Sequence, residues 1–323
     1  MTSLPSKKHT AVAWLLFAVI FAALLITATF TDLQVSRILT KGTLPEGEFY
    51  ATGVFGVVCE CIGCATPYFI GSLAFSVLAL YCLRFMENKY IKCGGFTLLT
   101  ALSGVMHYIA LDDTFKYNIR HLHLEGKPAF VTGEFIVLAA ILTFAFTLAI
   151  NNYSDDSIKA LAKAAFAYAL AIAIGGTLVE VLKGPFGRTR FRAMNYAGDF
   201  SYYTRWYVLN GQPDKQWMID TFSSTDACKS FPSGHTQSAS MMFTLVMLKD
   251  ALNIKSKKKI ALLWTAGIVW TGIIAVSRIM VGAHFFSDVL MGGTIGFLSV
   301  MLGREVFLCK FSHFKALFGK SDK

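Results

Sequence analysis

The residues best suited to chemistry lie near the end of the chain, in residues 277–288. Arg278, His284 and Asp288 stand there between two apolar runs. If the second run is helical from about residue 284, His284 and Asp288 share one helical face. The carboxylate then fixes the imidazole tautomer and favours its charged form, which leaves the other ring nitrogen as a nucleophile or base. Arg278 is a permanent cation suited to an oxyanion. Taken alone, the segment fits an interfacial helix cap as well as a catalytic pair.

A second polar segment, Pro232-Ser233-Gly234-His235, opens another apolar run. Pro-Ser-Gly at a helix start supplies a tight turn, free backbone N–H groups and the positive end of the helix dipole, which together favour an anion. His235 lies in the first turn, where it can exchange a proton with whatever binds. A lone histidine at a helix start is usually a cap, but this one accompanies two clusters of cations.

A third segment, residues 183–192, holds four cations in ten positions, at Lys183, Arg188, Arg190 and Arg192. A bound polyanion and contact with anionic lipid headgroups both explain such a cluster. Phosphoryl transfer needs positive charge on the phosphate oxygens, an in-line nucleophile and an acid for the leaving oxygen. The three segments supply all of these. Acyl transfer would not need so many cations, and no cluster of carboxylates indicates a catalytic metal, so no cofactor is expected.

The three segments resemble the signature of the type 2 phosphatidic acid phosphatase superfamily. Its first part, Lys, six residues, then Arg-Pro, matches Lys183 and Arg190. Its second part, Pro-Ser-Gly-His, matches residues 232–235. Its third part, Ser-Arg, five residues, His, three residues, Asp, matches residues 277–288. The parts occur in the family's order, and the resemblance covers roughly residues 160–303.

This resemblance implies a role for each matching residue. His284 is the nucleophile that forms a phosphohistidine, and Asp288 orients and charges it. His235 protonates the leaving group and then activates water. The groups that bind the substrate phosphate are Lys183, Arg190, Arg278, Ser233 and the backbone N–H of Gly234. The chain is therefore expected to be a metal-independent phosphatase that acts on a phosphomonoester or diphosphate of a lipid.

Two cations and one substitution fall outside the matched pattern. Arg188 and Arg192 are candidates for contact with a second phosphate or with the lipid headgroup. Phe191 stands where the motif has proline, and proline would stiffen the loop behind Arg190. The substitution therefore concerns the rigidity of the loop more than the placement of charge.

Composition predicts a membrane protein. Of 323 residues, 54% are apolar and only 15% charged, and the mean hydropathy is +0.53. Soluble proteins carry about 25% charged residues. The net charge of +10 fits anionic lipids or an anionic substrate. Nucleic acid is not an expected partner, because no basic tract interleaved with aromatic residues lies on a soluble domain. The predicted fold is all-α, a polytopic bundle of about eight transmembrane helices.

Apolar runs predict where these helices lie. The runs are 11–30, 67–86, 94–111, 129–150, 164–182, 235–248, 260–276 and 284–303. The first is long enough to span and follows two lysines, so it is interpreted as a retained signal anchor. We divide the chain into N-terminal helices (1–160), a catalytic helical core (161–303) and a basic tail (304–323).

A shorter apolar segment, residues 53–65, is rich in glycine and holds Glu60. We expect it to be a re-entrant or interfacial helix rather than a span. Cys59, Cys61 and Cys64 lie in it without a second ligand cluster at a recognisable spacing. They are interpreted as small packing residues and not as a metal site.

Lysine density predicts the orientation of the bundle. Five lysines crowd residues 249–259, and more basic residues follow in the tail. Both termini are therefore expected in the cytoplasm, and the three polar segments on the opposite side of a bacterial inner or cell membrane. The expected partners are a phosphorylated lipid substrate and the surrounding lipids.

Other functions remain open at this point. A lipid phosphotransferase, in which an alcohol resolves the phosphohistidine, would use identical residues. A non-enzymatic anion-binding or transport protein would use the same cations, but the paired broken helices of two related halves are not evident in the sequence. Soluble vanadium haloperoxidases share the motifs, and the predicted spans argue against that class.

Overall fold

All regular secondary structure in the described residues, 7–121 and 126–313, is helical in this computed structural model. The predicted all-α fold is confirmed. Residues 314–323 of the predicted basic tail lie outside the described part. The helices are α1 (Lys7–Thr40), α2 (Val54–Gly63), α3 (Ala65–Phe85), α4 (Lys89–His121), α5 (Ala129–Asn151), α6 (Asp155–Phe186), α7 (Phe191–Ala197), α8 (Lys215–Phe222), α9 (Gly234–Ser240), α10 (Met247–Ala251), α11 (Lys257–Met280) and α12 (Phe286–Arg304).

Seven helices of the described part are long and apolar enough to cross a membrane, one fewer than the sequence predicts. They are His9–Thr40, Val54–Phe85, Lys89–Tyr117, Ala129–Asn151, Asp155–Ala197, Lys257–Met280 and Phe286–Cys309. The predicted span 235–248 is not among them because the chain is broken there. Helix α9 passes through a 3₁₀ segment, Met241–Val246, into α10.

This broken run nevertheless follows α12 from end to end. At its start, the N–H of Ser233 donates to the carbonyl of Asp288 in the first turn of α12 (3.0 Å). At its end, Asp250 pairs with Arg304, the last residue of α12 (2.6 Å). Since a 19-residue helix is about 28 Å long, the run traverses the same depth of the bundle as α12.

Glycines allow α12 to lie directly against its neighbours, as is common where membrane helices meet. A Cβ added to Gly292 would lie 2.2 Å from the carbonyl oxygen of Ser233, and one added to Gly303 would lie 2.2 Å from that of Ala167 on α6. Backbone atoms cannot yield as a flexible side chain would. These two contacts hold α12, which follows His284, against α6 and the start of α9.

The segment predicted to be re-entrant or interfacial is α2, which leads directly into α3. Cys64 between them has helical dihedral angles (φ −81°, ψ −16°), and Val54–Phe85 forms one apolar helical stretch. Cys59 packs in a buried cluster with Ala239 and Ile274, in agreement with its expected packing role. The joint between α2 and α3 brings Glu60 into the interior, where it is 2% exposed.

Substitution of Gly303 by alanine should destabilise the bundle, because the added methyl group meets the backbone of Ala167. We expect a loss on the order of 1–3 kcal/mol, measured as a lower midpoint of thermal unfolding in detergent. Gly272→Ala is the matched control, since a Cβ at Gly272 on α11 meets no atom within 4 Å. Equal midpoints for the two variants would contradict this packing.

Candidate active site

A cavity of about 870 Å³ lies between α3, α4, α6 and α9 and reaches the residues singled out in the sequence. The predicted site residues that line it are Lys183, Arg190, Arg192, Gly234, His235, Arg278 and His284. They come from α6, α7, α9, α11 and the connection between α11 and α12. Ser233, Asp288 and Arg188 are buried close by but do not line it.

His284 lies in the short connection between α11 and α12 and is 2% exposed. Its Nδ1 lies 2.5 Å from the carbonyl oxygen of Ser230. Because a carbonyl can only accept, Nδ1 carries the hydrogen and Nε2 keeps its lone pair. Burial, together with the guanidinium groups of Arg190 and Arg278, lowers the pKa of His284 well below its ordinary range. A neutral imidazole with a free Nε2 is suited to nucleophilic attack.

The predicted contact between Asp288 and His284 is not found. Helix α12 begins at Phe286, with Phe285 as its N-cap, so His284 precedes the helix and does not share a face with Asp288. The Asp288 carboxylate accepts hydrogen bonds from the N–H of Phe285 (2.8 Å) and from Oγ of Ser230 (2.5 Å). Asp288 therefore reaches His284 only through Ser230, whose carbonyl oxygen holds Nδ1.

Arg188 does not face the cavity, contrary to the suggestion that it contacts a second phosphate or the headgroup. It is 1% exposed, and its guanidinium group bonds Asp288 (2.5 Å) and Asp32 of α1 (2.9 Å). It also lies over the ring of Phe285, 4.2 Å from the centroid. Burying this charge requires such partners. Arg188 therefore ties α1 to the start of α12 and fixes Asp288.

Arg278 has an exposed fraction of 0%, yet it is only partly satisfied. Its Nη2 donates to Glu60 of α2 (2.9 Å). Nε and Nη1 are buried and have no hydrogen-bond partner in the described part of the chain. Buried donors without partners are costly and uncommon in native structures. An anion in the adjoining cavity would satisfy both donors.

Arg190 and Arg192 lie beside Arg278 and share the carboxylate of Asp226, at 3.3 and 3.5 Å. Arg192 also lies 3.6 Å from Glu60. Both side chains line the cavity, and Nε of Arg192 has no hydrogen-bond partner among the described residues. Contact of Arg192 with a second anionic group stays a prediction, and its place in the cavity lining is compatible with it.

Phe191, which replaces the motif proline, begins α7 directly after Arg190, its N-cap. Proline is favoured at this first helical position, so the two residues occupy equivalent places. The Phe191 ring packs against those of Phe200 and Phe285, with centroids 5.3 and 6.4 Å apart. Aromatic packing thus supplies rigidity that a proline ring would otherwise provide.

His235 stands in the first turn of α9, and Ser233 is its N-cap, accepting from the N–H of Thr236 (3.4 Å). Ser233 thus caps the helix and does not line the cavity. Nε2 of His235 is buried and has no hydrogen-bond partner in the residues described. The ring of Tyr117 packs edge-on against His235, with centroids 5.4 Å apart. Lys183 adjoins Gly234, since a Cβ there would lie 3.4 Å from Nζ of Lys183.

Away from these polar groups, the same cavity is apolar. It continues between α3 and α6 past residues that include Gly71, Ala74, Leu78, Ala165 and Ile172. On α6 the lining extends from Lys183 to Ala165, 18 residues or roughly 27 Å along the helix. A molecule with a phosphate at one end and a long apolar chain matches this distribution.

Sequence reasoning missed the carboxylates that hold the arginines, Asp32, Glu60 and Asp226. Glu60 carried a usable signal, because a lone ionisable residue in an apolar segment is by default a candidate functional residue. Asp32 lies at the polar end of the first apolar run and gave no comparable signal. Asp32 and Glu60 belong to no motif, so only the folded chain brings Asp32 to Arg188 and Glu60 to Arg278.

Removing the charge of Glu60, which itself lines the cavity, should weaken the site while its histidines and arginines stay in the chain. In Glu60→Gln, Arg278 loses its ionic partner, and a charge-assisted hydrogen bond contributes about 1.5–3 kcal/mol. We therefore expect kcat/KM for phosphate release to fall roughly 10–100-fold. Glu46→Gln, at an exposed loop position, is the control. Unchanged kcat/KM in Glu60→Gln would show that Glu60 does not position Arg278.

Comparisons with known proteins agree with this geometry. A sequence model described as PAP2 superfamily matches residues 164–308. The chain is 35% identical to phosphatidylglycerophosphatase B of Bacillus subtilis (strain 168) over 75 residues. These residues make up 23% of this chain and 36% of that relative. The chain thus matches only about a third of the length of that relative. No solved structure matches significantly. The matched region contains every predicted site residue, and this C-terminal part of the chain is similar to the PAP2 superfamily.

Proposed function

We propose that the protein is an integral-membrane phosphatase that hydrolyses a phosphomonoester or diphosphate of a lipid. The observation that carries the proposal is the pair of buried, unsatisfied donors on Arg278, which adjoin the cavity that His284 and His235 also line. A phosphate bound there would satisfy these donors beside a neutral histidine. The PAP2 match and the similarity to a phosphatidylglycerophosphatase support the same reaction class.

The reaction would proceed in two steps through His284. Its Nε2 attacks phosphorus in line with the leaving oxygen, and the P–O bond to that oxygen breaks as the N–P bond forms. The negative charge of the bound phosphate favours protonation of His235, which then gives this proton to the leaving oxygen. His235 then takes a proton from water, whose oxygen attacks phosphorus and releases inorganic phosphate and free His284. Lys183, Arg190 and Arg278 offset the negative charge of the phosphate oxygens throughout.

The Asp288 carboxylate would act in this scheme through Ser230. The carbonyl oxygen of Ser230 holds Nδ1–H of His284, and Oγ of Ser230 donates to Asp288. This chain fixes the ring orientation and stabilises positive charge on the phosphorylated imidazole. Asp288 is therefore a positioning residue, held in turn by Arg188.

A lipid substrate is favoured by the apolar part of the cavity. Its lining along α6 is roughly 27 Å long. A lipid tail spans one leaflet, which is half of the ~30 Å hydrocarbon core of a bilayer, so the cavity is long enough to hold such a tail. Water-soluble phosphate esters would leave this surface empty. A single-chain or double-chain lipid would bury its tail there while its phosphate reaches Arg278.

Replacement of His284 by alanine should abolish phosphate release, because no other described side chain takes the place of Nε2. Detergent-purified wild-type and variant protein would be assayed against a panel of phosphatidic acid, phosphatidylglycerol phosphate and polyprenyl diphosphate, with chelator present. We expect wild-type activity on at least one lipid and a loss of at least ~10³-fold in His284→Ala.

Two outcomes of this experiment would contradict the mechanism. Full activity of His284→Ala would exclude a phosphohistidine, and loss of wild-type activity on chelation would contradict metal independence. Adding a lipid alcohol to the assay separates hydrolysis from transfer, since a transferase would yield a new phospholipid in place of inorganic phosphate. Acid-labile ³²P on quenched wild-type protein would identify the intermediate.

We further propose that the site faces away from the cytoplasm. The broken run from α9 to α10 follows α12, so counting it as a crossing gives eight crossings and places the start of α1 and the end of α12 on one side. The lysine-rich residues 249–259 lie on that side and favour the cytoplasm. The site lies at the starts of α9 and α12, on the side of the bundle opposite to residues 249–259.

Cysteine labelling in intact cells tests this orientation. A cysteine introduced at Asn210, in the exposed loop after α7, should react with a membrane-impermeant maleimide. A cysteine introduced at Lys255, beyond α10, should react only after the membrane is permeabilised. Native cysteines would be replaced where they are exposed, beginning with Cys93. The reverse pattern of labelling would place the site in the cytoplasm.

A further inference from the structure

We propose that Glu305, Cys309 and His313 form a zinc site at the end of α12 remote from the phosphate-binding cavity. One ligand atom from each side chain lies within 4.8 Å of the other two. Carboxylate, thiolate and imidazole are the ligands that zinc uses in proteins. Helix α12 is about 28 Å long and separates this cluster from His284. The proposal is independent of the function proposed above.

The chain folds in an unusual way to bring these three residues together. In a continuous α-helix, residues 305 and 313 would be about 12 Å apart along the axis. Here α12 ends in a π-helical turn, Glu305–Cys309. Lys310 and Phe311 then adopt left-handed conformations (φ 49° and 59°), and the N–H of Phe311 donates to the carbonyl of Glu305 (2.9 Å). The chain turns back, and His313 returns to Glu305.

Unsatisfied buried atoms at the cluster point to a missing ligand. Glu305 is 5% exposed, and its Oε2 has no hydrogen-bond partner in the described residues. Nδ1 of His313 is also buried. It lies 2.6 Å from Oε1 of Glu305 but makes no hydrogen bond to it. Because buried polar atoms are nearly always paired, a cation that accepts lone pairs from both residues would explain this arrangement.

The size and charge of the cluster suit zinc. Atoms bound to a tetrahedral zinc ion are roughly 3.3–3.6 Å apart, so small rotations of the three side chains would complete the site, with water as a fourth ligand. Zinc displaces the proton of the Cys309 thiol. The charge of Zn²⁺ then balances the negative charges of the Cys309 thiolate and the Glu305 carboxylate. The resulting neutral site does not repel the nearby side chains of Lys310 and Arg304, and Arg304 is already paired with Asp250.

Zinc bound here would stabilise the end of the bundle at the last turn of α12. The same turn packs on α6, where the ring of Phe307 stacks on that of Phe166 (centroids 6.1 Å apart). Binding would join the last turn of α12 to the chain that follows it. The expected consequence is higher stability of the holoprotein, with no group supplied to the phosphate-binding cavity.

Metal analysis of the full-length protein tests the proposal. The protein would be purified in detergent without a metal-affinity step, supplied with equimolar zinc and desalted. We expect about one zinc per chain in wild type and in the control Cys93→Ser, which alters an exposed cysteine of α4. Cys309→Ser and His313→Ala should retain less than about a fifth of this. Wild type without bound zinc, or Cys309→Ser with as much zinc as wild type, would overturn the site.

Cobalt provides a readout that does not depend on a folded variant. Cobalt-loaded wild type should show a thiolate-to-cobalt charge-transfer absorption in the near ultraviolet, and zinc should abolish it. Absence of this band in wild type overturns the proposal even if Cys309→Ser fails to fold. Phosphate release by Cys309→Ser should stay within about twofold of wild type. Loss of activity on chelation in both proteins would instead indicate a metal in the phosphate-binding cavity.

Discussion

The site depends on the burial of four arginines, Arg188, Arg190, Arg192 and Arg278, in a largely apolar helical bundle. A guanidinium group cannot be buried without anions or acceptors, because its desolvation costs several kcal/mol. Four carboxylates supply most of this compensation, Asp32, Glu60, Asp226 and Asp288. Nε and Nη1 of Arg278 nevertheless remain without hydrogen-bond partners among the described residues, next to the cavity.

Two of those carboxylates come from outside the region that matches the PAP2 superfamily. Asp32 lies on α1 and Glu60 on α2, whereas the match covers residues 164–308. The N-terminal helices therefore hold arginines of the matched region in place. A fragment limited to residues 164–308 would bury Arg188 and Arg278 without these partners.

The same interactions separate residues that contact the cavity from residues that support them. His284, His235 and Arg278 line it, while Asp288, Arg188 and Ser233 lie behind, bonded to backbone and to one another. The three polar segments thus contain two kinds of residue. Their chemistry alone does not tell them apart, because a buried arginine serves equally as a phosphate ligand or as the partner of a carboxylate.

Sequence alone was sufficient to predict the helical membrane fold and to locate the three polar segments, because hydropathy and local spacing encode them directly. The phosphate chemistry of those segments stays a prediction. Tertiary structure decided how the segments meet. The start of α12 at Phe286 removed the expected contact between Asp288 and His284, and the break after α9 interrupted a predicted span. Glu60 reaches Arg278 across 218 positions of sequence. Such pairings depend on where whole helices pack, and no local pattern of residues specifies that.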